Sequence, residues 1–342
     1  MIDNSCVVST RVRLARNLEG YPFPSHLKDE KQAKEIIRLV AAALSRLSVQ
    51  SHLEEFRLYP MDTVSKEKAL SLKENHLISP NLIAHKRISA ALINNEESVS
   101  IMINEEDHLR EQCIVKGLDL RLAYETMSEI DGVISRSMKF AYDEQFGYLT
   151  ACPTNLGTGM RASVMMFLPA ITLRGRMPEV IRLLYPKGLT VRGIYGEGSE
   201  AEGYMYQISN ETTLGVTEEG ILAKVDEFVG KICELEMSDR NTLSKGANCL
   251  ELRDECMRSY GILTNCAKLS TDELIKLSAN VKLGACLGFT KLDDVSQIDD
   301  LVVKMRPSNR NSAAERELTP VERDVYRAQY TAKYLKKIFE NN

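Results

Sequence analysis

The sequence predicts an α+β domain, a largely antiparallel sheet flanked by helices, followed by an all-α domain. Three observations predict it. Up to about residue 237, short alternating segments are interleaved with amphipathic helices, and several lie close enough in sequence to pair as hairpins. Beyond that point the strand pattern fades and helix signals dominate, which places the division at residues 1–239 and 240–342. A chain of 342 residues also has the length for about two domains.

In chain order, Ser9-Thr10-Arg11-Val12-Arg13-Leu14-Ala15-Arg16 precedes the first sizeable element. Asp29 to Leu47 reads as a helix because Ile36, Ile37, Val40, Leu44 and Leu47 form one stripe. Phe56 to Tyr59 reads as a strand, Lys66 to Asn75 as a charged helix and His76 to Asn81 as a loop. Ala90 to Ile93 and Val99 to Ile103 form a hairpin around Asn94-Asn95-Glu96-Glu97. A helix spans about Leu118 to Met138, and Phe146 to Thr150 is a short strand. The turn residues of Cys152 to Gly159 lead into a predicted helix beginning near Met160. Glu179 to Tyr185 is helical, Leu189 to Tyr195 and Tyr204 to Ile208 are strands, and Gly196 to Gly203 is a flexible connection. Thr217, followed by two acids, caps a helix running to about Met237. Further on, Ser270-Thr271-Asp272-Glu273 and Thr319-Pro320-Val321-Glu322 are capping boxes, and Met305 to Leu318 reads as a loop.

Composition is that of a globular protein, 44% hydrophobic and 27% charged. With 44 basic and 48 acidic side chains, the net charge of −4 gives no sign of a nucleic-acid or membrane surface. No apolar run approaches membrane-spanning length, and Met1 to Asn4 lacks the features of a signal peptide, so the expected location is the cytoplasm. Eight scattered cysteines and five histidines without ligand spacing argue against a disulfide framework and a protein-bound metal.

The segment Asn104-Glu105-Glu106-Asp107-His108-Leu109-Arg110 follows a strand and is poor core material. It is either a solvated turn or the lip of an active site, and taken alone a charge run belongs in water. Arg11, Arg13, Arg110, Arg161 and Arg192 each sit beside a turn or strand end. Any one could be an ordinary surface arginine, but five so placed suit phosphate, whose oxygens match the forked guanidinium. The lysine-bearing G-x-x-x-x-G-K phosphate loop is absent, so a nucleotide site would rely on arginine side chains. Glu106 and Glu200 are then candidates to orient a nucleophile and receive its proton. Two carboxylates suit a guanidinium in particular, a planar cation with a pKa above ~12.

Four segments together resemble the phosphagen kinases such as arginine kinase and creatine kinase: S-T-R-V-R from Ser9, N-E-E-D-H-L-R from Asn104, C-P-T-N-L-G-T-G-M-R-A-S from Cys152, and R-G-I-Y-G-E-G-S-E from Arg192. Within that superfamily the chain is most similar to the bacterial protein-arginine kinases over nearly its whole length. The resemblance implies a phosphagen-kinase-like domain and an activity that transfers the γ-phosphoryl group of ATP to a guanidino group. It implies that Glu106 orients and deprotonates the guanidinium, with Glu200 as its partner and Cys152 as the reactive cysteine beside the substrate. ATP would contact Ser9, Thr10, Arg11, Val12 and Arg13; His76, whose loop matches the family's H-L-I-S-P-N; Arg110; Arg161, Ala162, Ser163, Val164 and Met165; and Arg192, Gly193, Ile194, Tyr195, Gly196 and Glu197. Mg²⁺ would ride on the nucleotide phosphates and water, with Glu105 or Asp107 reaching it at most through a water. Phosphagen kinases have an arginine where this chain has Tyr195, so Arg192 is expected to compensate.

Two features separate the chain from kinases of free arginine. Only eight residues precede Ser9, so the helical domain that closes over a free amino acid is expected to be absent. The second is Arg323-Asp324-Val325-Tyr326-Arg327-Ala328, which matches the R-D-x-x-R-A motif of protein-arginine kinases, a regulatory phosphoarginine-binding site. Arg323 and Arg327 lie four apart on one helix face and would hold the phosphoryl group while Asp324 takes the guanidinium. The resemblance further implies a cytoplasmic homodimer built through the C-terminal domain, with unfolded proteins and the repressor CtsR as substrates, McsA as activator, and a product that marks proteins for the ClpC–ClpP protease. The competing readings are a kinase of free arginine or another small guanidine, and an inactive phosphoarginine-binding adaptor.

Overall fold

The first ten-residue run of regular structure, β1 (Val7–Arg16), alternates buried and part-exposed residues over most of its length and is an interior strand of the main sheet. The computed structural model describes residues 5–50, 55–193, 201–307 and 318–340. After β1 come α1 (Glu30–Gln50), β2 (Phe56–Pro60), α2 (Lys66–Glu74), α3 (Pro80–Ala84), β3 (Ala90–Asn94), β4 (Val99–Ile103), β5 (Leu109–Lys116) and α4 (Leu120–Ser137). A small ribbon of β6 (Tyr142–Asp143) and β7 (Gly147–Tyr148) precedes β8 (Met160–Phe167), α5 (Pro169–Leu173), α6 (Met177–Leu184), β9 (Leu189–Gly193) and β10 (Met205–Asn210). The chain then turns helical: α7 (Glu218–Lys245), α8 (Cys249–Asn265), α9 (Thr271–Cys286), α10 (Ser296–Lys304) and α11 (Pro320–Glu340). The eight main strands pair antiparallel in the order β2-β3-β4-β5-β1-β8-β10-β9.

The predicted helix at Met160 is a strand, and this is the main correction to the sequence reading. Met and Ala carry helix propensity, but β8 is hydrogen-bonded on both edges, to β1 and to β10. Its alternation satisfies two environments: Met160, Ala162, Val164 and Met166 enter the core, while Arg161, Ser163 and Met165 face the other side. Pairing and burial override local propensity here. Gly159, at φ 64°, turns the chain into the strand, and a Cβ there would meet the Ala15 carbonyl and Arg16 Nη1 at 2.6 Å.

One face of the sheet packs Val12, Leu14, Ala162, Val164 and Ile208 against Ile36 and Val40 of α1, Met127 and Ile130 of α4, and Val225 and Val229 of α7. Among the described residues, the other face is covered only at its two ends. At one end Leu72, Leu77 and Leu82 cover Ala91, Ile93 and Met102. At the other, Cys256, Ala279 and Leu283 of α8 and α9 cover Phe167. The uncovered strip between them is where the arginines lie.

Helix α7 runs unbroken through residue 240 and ties the sheet to the helical region. Buried Glu236 accepts the Ala170 and Ile171 amides at 3.1 and 3.0 Å and Arg240 Nε at 2.7 Å. Arg240 in turn donates to Ser5 Oγ at 2.5 Å and the Phe167 carbonyl at 3.4 Å. Both predicted capping boxes form, at Ser270–Glu273 and at Thr319–Glu322. All eight cysteines are free, and no described helix is long and apolar enough to cross a membrane.

Removing Glu236 leaves Arg240 buried without its carboxylate and uncaps α5. Glu236→Ala is expected to destabilise the fold by about 3–5 kcal/mol in denaturant titration; a loss within 1 kcal/mol would show that the network is not structural.

Candidate active site

Alternation along β1 puts Ser9, Arg11 and Arg13 on the uncovered face and Thr10, Val12 and Leu14 on the opposite one. Register does the rest. Arg13 lies directly across from Arg161 on β8, and Ala15 across from Arg110 on β5. On the far side of β10, Arg192 of β9 is paired with Gln207. The result is a cleft of about 310 Å³ lined by Arg11, Arg13, Arg110, Arg161, Arg192 and Gln207, with Glu106, Asp107, Cys152, Thr154 and Asn155 at its rim.

The cluster is electrostatically unfinished. Burial and the neighbouring charges of Arg110 and Arg161 lower Arg11 to about 10, and burial, then the charges of Arg11, Arg110 and Arg161, push Arg13 well below its ordinary value. Arg161 is shifted down by burial and by Arg192. The Nε atoms of Arg11 and Arg161 are buried without a hydrogen-bond partner. Glu105 answers part of this charge through Arg110, at 3.3 Å. A polyanion fits the donors that remain.

The N-E-E-D-H segment is the β4–β5 turn, closed by the Asn104 amide on the His108 carbonyl at 2.9 Å. Most of its polar groups are spent on holding it. Asn104, at φ 57°, donates to the Ile88 carbonyl at 2.8 Å. Glu105 accepts Ser79 Oγ at 2.5 Å and the Glu106 amide at 2.8 Å. Asp107 accepts Asn17 Nδ2 at 2.6 Å and the Ala151 amide at 2.7 Å. His108 accepts the Leu18 amide at Nδ1, which leaves Nε2–H to donate to the Pro22 carbonyl at 3.0 Å. In this turn only Glu106 is exposed, and it faces the cleft. Its carboxyl is shifted upward by burial and by the charges of Asp107 and Glu105, against the pull of Arg110. For Glu105 burial pushes up, but the charge of Arg110 and the bonds from Ser79 and the Glu106 amide outweigh it and hold it below the usual range.

Cys152 is half-buried at the rim, its Sγ 3.0 Å from Thr154 Oγ1. Its loop is held from below by Thr213, whose hydroxyl reaches the carbonyls of Thr154 at 2.9 Å and Leu156 at 2.7 Å. Further along the same sheet face lies a second, mostly apolar chamber, also about 310 Å³, lined by Ser9, His76, Met165, Met205, Ile275 and Arg306 among others. His76 is lowered to about 4 by burial and the charges of Arg306 and Arg11, so its ring is neutral. Among the described residues no group of His, Cys, Asp and Glu is arranged to hold a metal ion.

The structure thus brings together Ser9, Arg11, Arg13, His76, Glu106, Arg110, Cys152, Arg161, Met165 and Arg192 on one face. The side chains of Thr10, Val12, Ala162 and Val164 point the other way, as strand alternation requires. Ile194, Tyr195, Gly196, Glu197 and Glu200 lie outside the described residues. On α11, Arg323 donates to the Leu318 carbonyl at 3.0 Å, Ala328 is core, and Arg327 is buried. Arg327 donates to the carbonyls of Met305 and Leu269 and to Asp324 Oδ1 at 3.1, 2.6 and 2.6 Å. Gln207 and Arg306 were missed. Gln207 was readable as the polar alternate between Tyr206 and Ile208; Arg306 sits in a segment read only as loop.

A family profile described as ATP:guanido phosphotransferase, C-terminal catalytic domain, matches residues 35–239, and one described as protein-arginine kinase McsB C-terminal domain matches residues 249–342. The protein-arginine kinase of Halothermothrix orenii is 40% identical over 96% of this chain and 92% of its own. That of Caldanaerobacter subterraneus subsp. tengcongensis is 39% identical over 98% of both chains. Among solved structures, lombricine kinase superposes with a TM-score of 0.60 at 26% identity, covering 69% of this chain and 67% of that one. The duplicated taurocyamine kinase from Schistosoma mansoni with bound transition state analog components gives 0.61 at 28%, covering 79% and 38%.

An anion should complete the cleft. Tripolyphosphate at a hundredfold excess over its Kd is expected to stabilise the protein by about 2.7 kcal/mol, and by less as salt is raised. Arg13→Met should abolish most of that gain without lowering the Tm of the ligand-free protein; thermal melts with and without tripolyphosphate decide both.

Proposed function

The chain belongs to the ATP:guanido phosphotransferase family, and from that membership we propose that it transfers the γ-phosphoryl group of ATP to arginine side chains of proteins. The observation that carries the reading is the cleft itself: a cradle of arginines faces one exposed carboxylate, Glu106, with an uptuned pKa. Arg11, Arg13, Arg110, Arg161 and Arg192 hold the phosphates, and the base and ribose extend along the sheet into the chamber of Ser9, His76 and Met165. Mg²⁺ would ride on the nucleotide's phosphates and water, where it would supply neutralisation of phosphate charge. The committed bonds of Glu105 and Asp107 support leaving both outside the metal's direct ligands.

Glu106 accepts hydrogen bonds from the target guanidinium and fixes one nitrogen in line with the γ-phosphorus. The N–P bond forms as the bond from phosphorus to the bridging oxygen breaks. The guanidinium proton passes to the Glu106 carboxylate and ADP leaves. Arginine cations stabilise the equatorial oxygens throughout. Glu200 is assigned as the second carboxylate on the guanidinium, and Cys152 lies beside it.

The same reading divides the chain at 239/240 and assigns the helical region to homodimerisation and phosphoarginine binding. Exposed Leu250, Met257 and Ile262 on α8 support an apolar contact there. Phosphoarginine would be taken by Arg323, Asp324, Arg327 and Ala328; since Arg327 is bonded to backbone carbonyls, its engagement would require those bonds to be exchanged. A cytoplasmic location, CtsR-like and unfolded substrates, a McsA-like activator and delivery to ClpC–ClpP complete the proposal. Phosphorylation of free arginine is the second reading, supported by the lombricine and taurocyamine kinases that share the fold.

Incubation with ATP and either free arginine or an arginine-rich protein decides between them: acid-labile label is expected on the protein, and label on the small molecule alone would overturn the proposal. Glu106→Gln is expected to lose about 10²–10⁴-fold in kcat. Because Glu106 must be ionised, kcat/KM should rise with pH along an acid limb centred above the ordinary glutamate value. Asp107→Asn, which removes a like charge, should move that limb to lower pH. Arg192→Ala should raise KM for ATP about tenfold; unchanged ATP affinity and turnover would remove Arg192 from the phosphate cradle.

A further inference from the structure

One charged side chain from the helical region reaches into the loop that carries His76. Arg306 lies two residues beyond α10 and is 9% exposed. Its Nη1 donates to the Glu74 carbonyl at 2.7 Å and stands 3.5 Å from His76 Nε2. His76 itself sits at φ 61°, and its carbonyl accepts Gln112 Nε2 from the sheet at 2.7 Å. A guanidinium can only donate, so its approach makes Nε2 the acceptor and puts the ring proton on Nδ1. On the other side of the same short segment, the Met305 carbonyl accepts Arg327 Nε at 3.1 Å, and Arg327 also bonds the Leu269 carbonyl at 2.6 Å. Helix α11, the turn at Met305 and Arg306, and the His76 loop are therefore joined by consecutive hydrogen bonds. Asp300 of α10 adds an exposed link to Lys116 of β5 at 3.3 Å.

We infer that Arg306 is a positioning residue for nucleotide binding, fixing the His76 ring and its tautomer at the chamber wall and making ATP affinity depend on the docking of α11 through Arg327. This rests on the chamber being the nucleoside end of the ATP site. Arg306 touches neither phosphate nor acceptor in this scheme, so its loss should appear in nucleotide affinity and not in the chemical step. An arginine that merely stabilised the fold would lower Tm and the amount of active enzyme without this selectivity.

The test uses the full chain, with a fluorescent ATP analogue for binding and steady-state kinetics with an arginine-rich protein substrate. Arg306→Ala is expected to raise Kd and KM for the nucleotide about tenfold, with kcat at saturating ATP and KM for the protein within twofold. Arg306→Gln, which keeps a neutral donor, should recover part of the loss and serves if the alanine variant does not fold. The double variant His76→Ala/Arg306→Ala should bind no more weakly than His76→Ala alone. Arg327→Lys should also weaken ATP binding, by less than an additive amount when combined with Arg306→Ala. A wild type that binds no nucleotide overturns the reading of the chamber. A wild type that binds, beside Arg306 variants that bind equally well or a double variant whose losses add, overturns this inference alone.

Discussion

The fold is organised around an unfavourable arrangement, several arginines on one face of adjacent strands with too few carboxylates to answer them. Arg13 and Arg161 are direct cross-strand neighbours, a pairing that sheets ordinarily avoid. Two parts of the molecule make this tolerable. The opposite face of the same strands buries a largely apolar surface, interrupted by Thr10, Arg16 and Glu111, against α1, α4 and α7, so register is held from behind. Glu105, fixed by Ser79 and its neighbour's amide, supplies one counter-charge at Arg110. What is left over is a set of unpartnered cationic donors in one cleft, the chemistry that suits a polyanion.

Much of this was legible because chemistry-bearing residues at element ends leave a mark in sequence. The arginines, Glu106 and Cys152 were identifiable from residue type and segment, and the capping boxes at Ser270 and Thr319 from four-residue patterns. The strands β1 and β8 were harder. Their outward positions carry arginine, serine and methionine in place of a plain polar alternate, so the period-two signal is blurred where function has claimed one face. The helix predicted at Met160 failed for that reason. In the contiguous segments Ser9 to Arg13 and Arg161 to Met165 a strand offers only every second side chain to one face, so Thr10, Val12, Ala162 and Val164 turn theirs to the opposite, buried face. Arg306 could not be found from sequence, since its significance is a meeting across more than two hundred residues.

The β4–β5 turn shows how one charged run serves two purposes. Asn104, Glu105, Asp107 and His108 bind backbone and side-chain partners from β1's exit, from α3's cap and from the loop before Cys152. They are buried, and their bonds determine where the next atoms point. Glu106 is what those bonds point, with its carboxyl shifted upward by burial and then by the charges of Asp107 and Glu105, the neighbours that hold it. A solvated turn would leave all its acids in water with ordinary acidity. Here three acids in a row have three environments, and the difference in environment, not the count of charges, separates the one carboxylate exposed to the cleft from the two that hold the turn.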